Sequence, residues 1–294
     1  MLVLETEALI LRYAVDKPFD RESLSIKLKI EPASTWRFGE DFEDMGGTTQ
    51  TLDLTDGSHP VERGICSRNG FSVLDDSDRL PLEKDGWIGV RHPNATDCYF
   101  FGYGFDYLGA VRDFYKLTGE PPMLPAYALG NWWSRYYPYS QQEYLDLMDR
   151  FHEEDIPFSV GVVDMDWHYT DEGRGGWTGW TWNRSLFPNP EGFMKDMKDK
   201  GLKITLNLHP ADGFQPYEEA YPALAEGLGL DPQEKKHIEW TNSDKHFMEN
   251  FFKHVMHPMQ EQGVDFWWLD WQQHLCDKAM PALSNTWWIN YCYF

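Results

Sequence analysis

The sequence is short of cysteine, short of basic residues and without any long apolar run. Its four cysteines, Cys66, Cys98, Cys276 and Cys292, show no CxxC spacing. They read as free thiols of a reducing compartment rather than a disulfide framework or a zinc site. Lysine and arginine total 26 against 48 aspartates and glutamates, a formal net charge of −22. A surface this acidic repels nucleic acid and anionic lipid, so neither is an expected partner. It suits a neutral or cationic ligand, and a solvated acidic surface explains most of these charges equally well. No stretch is long and apolar enough to span a bilayer. Residues 1–7 lack the basic and apolar regions of a signal peptide, which makes a cytoplasmic location the expectation. GxSxG, HExxH and phosphate-loop motifs are missing. The glycine-rich run from Asp171 to Trp177 is not followed closely by a helix, so it is no phosphate cradle.

What the chain has in plenty is aromatic residues: 14 Trp, 15 Tyr and 18 Phe. A large core absorbs part of this total. The surplus suits a site that binds flat apolar faces, such as those of sugar rings. The partner class expected on this ground is a small-molecule carbohydrate.

Two patterns follow one another along the chain. From Thr6 to about Glu120, short runs with strand character are punctuated by Gly, Pro, Asn and Asp. The strands expected are residues 8–13, 24–30, 70–74, 86–90 and 97–103, with a helix over 107–117. This predicts an N-terminal β-sandwich domain over residues 1–120. Pro121, Pro122 and Pro125 stiffen the connector that follows. Beyond it the period changes to alternating strands and helices. Strands are expected at 126–133, 159–164, 203–209 and from Val264 onward. A capping box at Ser140–Glu143 opens the first helix, Asn189-Pro190 opens the second, and residues 243–262 form a long third helix kinked at Pro258. The β-α-β-α-β-α-β order implies parallel strands with right-handed crossovers.

Residues 286–294 read as the body of a further helix cut mid-element. A closed (β/α)8 barrel occupies about 250 residues, more than follow the connector. Residues 121–294 are therefore expected to be the first half of a (β/α)8 TIM barrel, truncated after about four β/α units. A smaller, complete doubly-wound sheet is the alternative.

Polar residues gather where these strands end: Ser134 and Arg135; Asp164, Asp166 and His168; His209; Asp270. In parallel barrels the catalytic groups sit at those C-terminal ends. Asp270 lies between Leu269 and Trp271, where desolvating a carboxylate is costly unless it is used. It is the candidate nucleophile, and capping of the next turn is the plain structural alternative. Asp164, Asp166 and His168 share a face if strand geometry persists, which leaves two chemistries open: a metal cluster, or a carboxylate pair gripping sugar hydroxyls. His209 is as compatible with a structural hydrogen bond as with a ligand contact. Trp132 to Tyr137 fit a subsite wall or barrel core.

Several of these stretches, taken in order, resemble glycoside hydrolase family 31, the retaining α-glucosidase and α-xylosidase family. They are Gly46-Gly47-Thr48-Thr49-Gln50-Thr51-Leu52-Asp53, Leu74-Asp75-Asp76-Ser77, the run from Leu129 to Tyr136, Val163-Asp164-Met165-Asp166-Trp167, Leu208-His209-Pro210 and Phe266-Trp267-Trp268-Leu269-Asp270. The resemblance implies a β-sandwich before a (β/α)8 barrel, with no cofactor. It implies that Asp270 is the nucleophile and that Asp164 holds sugar hydroxyls. Asp53 would join Asp164 from the sandwich, and Tyr136 stands where a pocket aromatic is common. Trp268 and Trp271 would wall the pocket and exclude water, with His209 beside them.

Gln272-Gln273 replaces the Asn-Glu of many members, which bears on the preferred sugar. No residue matches the acid/base aspartate, which in the family lies on a later strand; Asp277 falls in the wrong unit. The chain alone is thus expected not to turn over a glycoside. Two other classes stay open: a non-catalytic carbohydrate-binding protein, and a metal-dependent hydrolase built on Asp164, Asp166 and His168.

Overall fold

Leu24, Ile26 and Leu28 alternate with Ser25 and Lys27, so one strand carries a buried face and a wetter one. The computed structural model, which describes residues 1–49, 52, 55–170, 177–270 and 274–294, divides into units Met1–Pro122 and Met123–Phe294. In the first unit that strand is β3 (Leu24–Leu28). It belongs to an antiparallel sheet ordered β1 (Leu2–Glu5), β2 (Leu9–Tyr13), β3 and β4 (Thr35–Arg37). A separate ribbon pairs β5 (Ser72–Asp75) with β6 (Cys98–Phe101). Aromatic rings join the two: Phe71 stacks on Phe100 at 5.6 Å, and Trp36 lies 5.7 Å from Phe100. Each such buried side chain contributes roughly 1.5–3 kcal/mol. Helix α1 (Tyr107–Thr118) follows, and the Asp106 side chain accepts from the Gly109 N–H at 2.9 Å.

Two expectations in this unit need correction. Residues 86–90 form no strand. Their pairing is a single bridge between Leu82 and Ile88, because Gly86, at φ +78°, closes a tight turn by donating to the Glu83 carbonyl. Strand β1 was not foreseen. Its four residues are all exposed, so no burial pattern betrays it, and it is defined by its pairing to β2.

In the second unit a four-stranded parallel sheet has the spatial order β10-β9-β8-β7: β7 (Trp132–Trp133), β8 (Val160–Val163), β9 (Lys203–Leu208) and β10 (Phe266–Leu269). The register places Val162 opposite Thr205 and Thr205 opposite Phe266; Asn207 faces Trp268. Helix α2 (Gln141–Glu153) starts from the expected capping box: Ser140 Oγ accepts from the Glu143 N–H, and Glu143 accepts from the Ser140 N–H at 2.8 Å. Helix α3 (Pro190–Asp199) buries Phe193, Met194 and Met197 completely. The Tyr144 hydroxyl of α2 donates to the Val162 carbonyl at 2.9 Å. Gly161 is what permits this fit. A Cβ there would lie 2.5 Å from Met197 Cε and 3.1 Å from the Tyr144 hydroxyl.

Other expectations shift in detail. Residues 126–129 are not extended: Pro125 leads into a single 3-10 turn, Ala126–Leu129, and only Trp132 and Trp133 pair with β8. The third connection contains a helix that was not foreseen, α4 (Tyr221–Gly227), short and without a side-chain cap. The long helix is built as α5 (Lys245–Phe251), a π-turn at Phe252–Met256 and α6 (His257–Gln262). Pro258 lacks an N–H and its ring crowds the His254 carbonyl one turn earlier. The backbone meets this by widening ahead of the proline. Helix α7 (Asn285–Tyr293) is capped by Ser284. Among the described residues no helix is long and apolar enough to cross a membrane.

Gly161→Ala should destabilise the protein by about 1–3 kcal/mol, the usual cost of overpacking. Equilibrium denaturation followed by circular dichroism reads the effect. An unchanged midpoint would mean that Met197 moves aside freely.

Candidate active site

Side chains two residues apart on parallel strands stand in rows, and the register of β8, β9 and β10 assembles the site in this way. One row holds Val162, Thr205 and Phe266. Two residues further on, Asn207 stands opposite Trp268, and Asp164 follows Val163 with extended backbone angles. A further step places His209 and Asp270 at the ends of β9 and β10. The Asp270 N–H donates to the Leu208 carbonyl at 3.0 Å, which carries the ladder one residue past the strand.

The Asp270 carboxylate is partly open, with 19% of its side chain exposed, while that of His209 is 2% exposed. His209 Nε2 lies 3.4 Å from Asp270 Oδ2. Neither ring nitrogen of His209 has a hydrogen-bond partner among the described residues, so this contact is electrostatic rather than a formed hydrogen bond. Asn207 donates to the same oxygen, its Nδ2 lying 3.0 Å from Asp270 Oδ2. The Trp177 ring meets the His209 ring edge-on at 5.2 Å. The Thr178 hydroxyl donates to the His209 carbonyl and accepts from the Asp212 N–H at 3.2 Å.

Asp164 also caps the turn that follows, accepting from the Met165 N–H at 2.7 Å. Burial pushes its carboxyl above the ordinary range. The Met165 N–H pulls it back, the negative charge of Asp270 raises it again, and His209 lowers it. Asp164, His209 and Asp270 thus form one electrostatic group at the ends of three neighbouring strands.

The expected shared face of Asp164, Asp166 and His168 does not form. Strand β8 ends at Val163 and the chain turns through a 3-10 segment, Met165–Trp167, so the two-residue alternation stops. Asp166 accepts from the Thr170 hydroxyl at 3.1 Å. His168 is wholly buried, and its Nδ1 lies 2.9 Å from the Tyr169 carbonyl, which makes Nδ1 the protonated nitrogen. Burial pulls its pKa down to about 4, so the ring is neutral. Among the described residues no three His, Cys, Asp or Glu side chains stand together as a metal site.

The other expected residues fall as follows. Trp268 is half-buried on the row of Asn207. Tyr136 is 66% exposed on the loop after β7, beside Tyr137, whose ring carries the Arg135 guanidinium at 4.7 Å. Asp53, Trp271, Gln272 and Gln273 lie outside the described residues. Asp277 is buried and occupied, accepting from the Ser243 hydroxyl and from the Ala279 and Met280 N–H groups.

Two residues carry more of the site than their sequence signal revealed. Asn207 was visible only as the middle of a polar alternation, Thr205, Asn207 and His209, on an otherwise apolar strand. Glu218, on the loop after β9, is buried. It accepts from the Thr181 hydroxyl and from the Trp180 N–H, tying that loop to the one after β8, and burial raises its pKa. Nothing in its Tyr-Glu-Glu context marked it.

The profile described as "Glycosyl hydrolases family 31 TIM-barrel domain" matches residues 121–290. The "Alpha-xylosidase" of Saccharolobus solfataricus is 26% identical over 244 residues, covering 77% of this chain and 30% of that protein. "Alpha-glucosidase 2" of Bacillus thermoamyloliquefaciens is 26% identical over 288 residues, covering 91% of this chain and 35% of that protein. The chain therefore spans about a third of the length of these relatives. Among solved structures, "Xylosidase from Aspergillus niger" aligns with a TM-score of 0.54 at 16% identity, covering 94% of this chain and 46% of that one. That likeness concerns fold alone.

If the charge of Asp270 acts on Asp164, Asp270→Asn should lower the Asp164 titration midpoint toward the ordinary carboxylate range. Carboxyl 13C NMR across pH 2–8 reads it. An unmoved Asp164 signal would mean that burial alone sets its acidity.

Proposed function

Because the chain belongs to glycosyl hydrolase family 31, we propose that it carries the nucleophile and part of the sugar pocket of a retaining α-glycosidase acting on neutral α-linked oligosaccharides. The observation that carries this reading is the convergence of Asp270, Asp164 and His209 at the C-terminal ends of adjacent parallel strands. That is the edge where barrels of this kind do their chemistry. The names of the relatives, an α-xylosidase and an α-glucosidase, support this substrate class.

In this reading an Asp270 oxygen attacks the anomeric carbon while the bond to the leaving oxygen breaks. A second carboxyl, about 5–5.5 Å from the first, gives that oxygen its proton. The product is a glycosyl ester on Asp270. Water, deprotonated by the second carboxyl, then attacks the anomeric carbon and releases the sugar and the free carboxylate. Asp164, with its raised pKa, grips sugar hydroxyls by charge-assisted hydrogen bonds. His209, Trp268 and Tyr136 line the pocket in this reading; Asp53 and Trp271, the other residues expected there, lie outside the described residues. No cofactor enters any step. The second carboxyl is assigned to no residue of these four units; a complete barrel would supply it from a later strand.

The test uses the protein that carries the complete barrel, treated with a fluorinated α-glycosyl fluoride whose ester hydrolyses slowly. Mass spectrometry should find one glycosyl unit on the peptide containing Asp270. Asp270→Asn should take up none and lose on the order of 10⁴-fold or more in kcat, the scale of removing a nucleophile. A glycosyl label on any other residue would sink the assignment.

A further inference from the structure

A carboxylate that must attack one carbon along one line has a geometric problem, because the terminal torsion of an aspartate is broad. Something has to hold the plane of the group. In this protein one candidate is built into the neighbouring strand. Asn207 lies on β9, is fully buried, and stands opposite Trp268 in the parallel register. Its carbonyl accepts from the Trp167 Nε1–H at 2.8 Å, which fixes its backbone from behind. Its side-chain amide donates to Asp270 Oδ2 at 3.0 Å.

We propose that Asn207 is a positioning residue for the Asp270 carboxylate: its amide fixes Oδ2 and so presents Oδ1 to the anomeric carbon. This rests on the reading of Asp270 as the nucleophile. A neutral donor suits the task. It favours the ionised carboxylate without the full positive charge that would blunt its attack. The hydrogen bond keeps its use after the first step. Once Oδ1 is esterified, Oδ2 becomes the ester carbonyl oxygen, and when water displaces the carboxylate the returning charge meets a donor already in place.

Asn207 makes this contact from the row one step before His209 and Asp270 on the same face of the sheet. The charged and titratable groups near Asp270 include Asp164, from the end of β8, and His209, from the end of β9. Asp166 acts on Asp164 in turn.

The experiment follows the Asp270 carboxyl by 13C NMR in the full chain, in wild type, Asn207→Leu and Asn207→Asp, each also with His209→Gln. Loss of the donor in Asn207→Leu should raise the Asp270 midpoint by about one pH unit. In Asn207→Asp two carboxyls would share the contact, and the pair should titrate in two separated steps. Both effects should persist in the His209→Gln background. In the protein with the complete barrel, the acidic limb of kcat/KM should move upward by the same amount. If Asn207→Leu fails to fold, the nearly isosteric Asn207→Asp decides. A midpoint within about 0.3 unit of wild type in a folded variant overturns the role, as does a shift that vanishes with His209→Gln. A label found on a residue other than Asp270 would end the nucleophile reading and leave this titration standing. An unmoved titration would end the role of Asn207 alone.

Discussion

The parallel register between β9 and β10 is the constraint on which the site depends. It sets Asn207 opposite Trp268 and carries His209 level with Asp270. A slip of one residue would turn Asn207 and His209 to the helix side and bring Leu206 and Leu208 inward, since strand side chains alternate strictly. Helix packing on the far side holds the register. Ile204, Leu206 and Leu208 are buried there almost completely, and Gly161 lets α2 and α3 approach β8 closely. The Asp265 carboxylate adds a lock at the lower end, accepting from the Ile204 N–H at 3.0 Å and from Lys203 Nζ at 2.9 Å. Packing far from the chemistry thus sets the spacing of the groups that would perform it.

Given that spacing, the electrostatics follow from who is buried. The pKa of Asp164 is raised by burial and the residue sits beside another negative charge, so its ionised form is disfavoured from two sides. Asp270 keeps partial exposure and accepts from the Asn207 amide. The two carboxylates, at the ends of β8 and β10 with β9 between them, thus have different partners, and different surroundings are how one site assigns different tasks to the same functional group. His168, a few residues away, is neutral and tied to a backbone carbonyl, which suits a residue that shapes a loop rather than binds a ligand.

The alternation of strands and helices after residue 122 was legible because most of the strands are short apolar runs and two of the helices open on capping residues visible in the sequence: Ser140 and Asn189 both accept from the backbone. The ends of those strands were legible as well, since polar residues stand out against Val160–Val163 or Phe266–Leu269. Less could be read where tertiary contacts decide. The fate of His168 depended on whether β8 continued past Val163, and the 3-10 turn there leaves no periodic mark. Asn207 looked like a strand residue of no consequence, because its partner Asp270 is 63 positions away in the chain. Strand β1, exposed along its whole length, has nothing but a pairing to declare it.

The two faces of β9 sharpen what is functional here. On the helix side Ile204, Leu206 and Leu208 each contribute roughly 1.5–3 kcal/mol by burial. On the other side Thr205 Oγ1, Asn207 Oδ1 and both ring nitrogens of His209 are buried without a hydrogen-bond partner among the described residues. Each such group costs about 1–3 kcal/mol. Stability alone would favour apolar residues at these positions, as β8 shows with Val160 and Val162 on the same side of the sheet. The polar residues do not continue a general pattern of the sheet. They are confined to the strand that borders Asp270 and rise along it toward that carboxylate. Unpartnered polar atoms are buried at Trp133 and Trp267 of the same sheet as well, but three successive polar residues on one strand face, leading to one carboxylate, are better explained by what the side chains do than by how the protein folds.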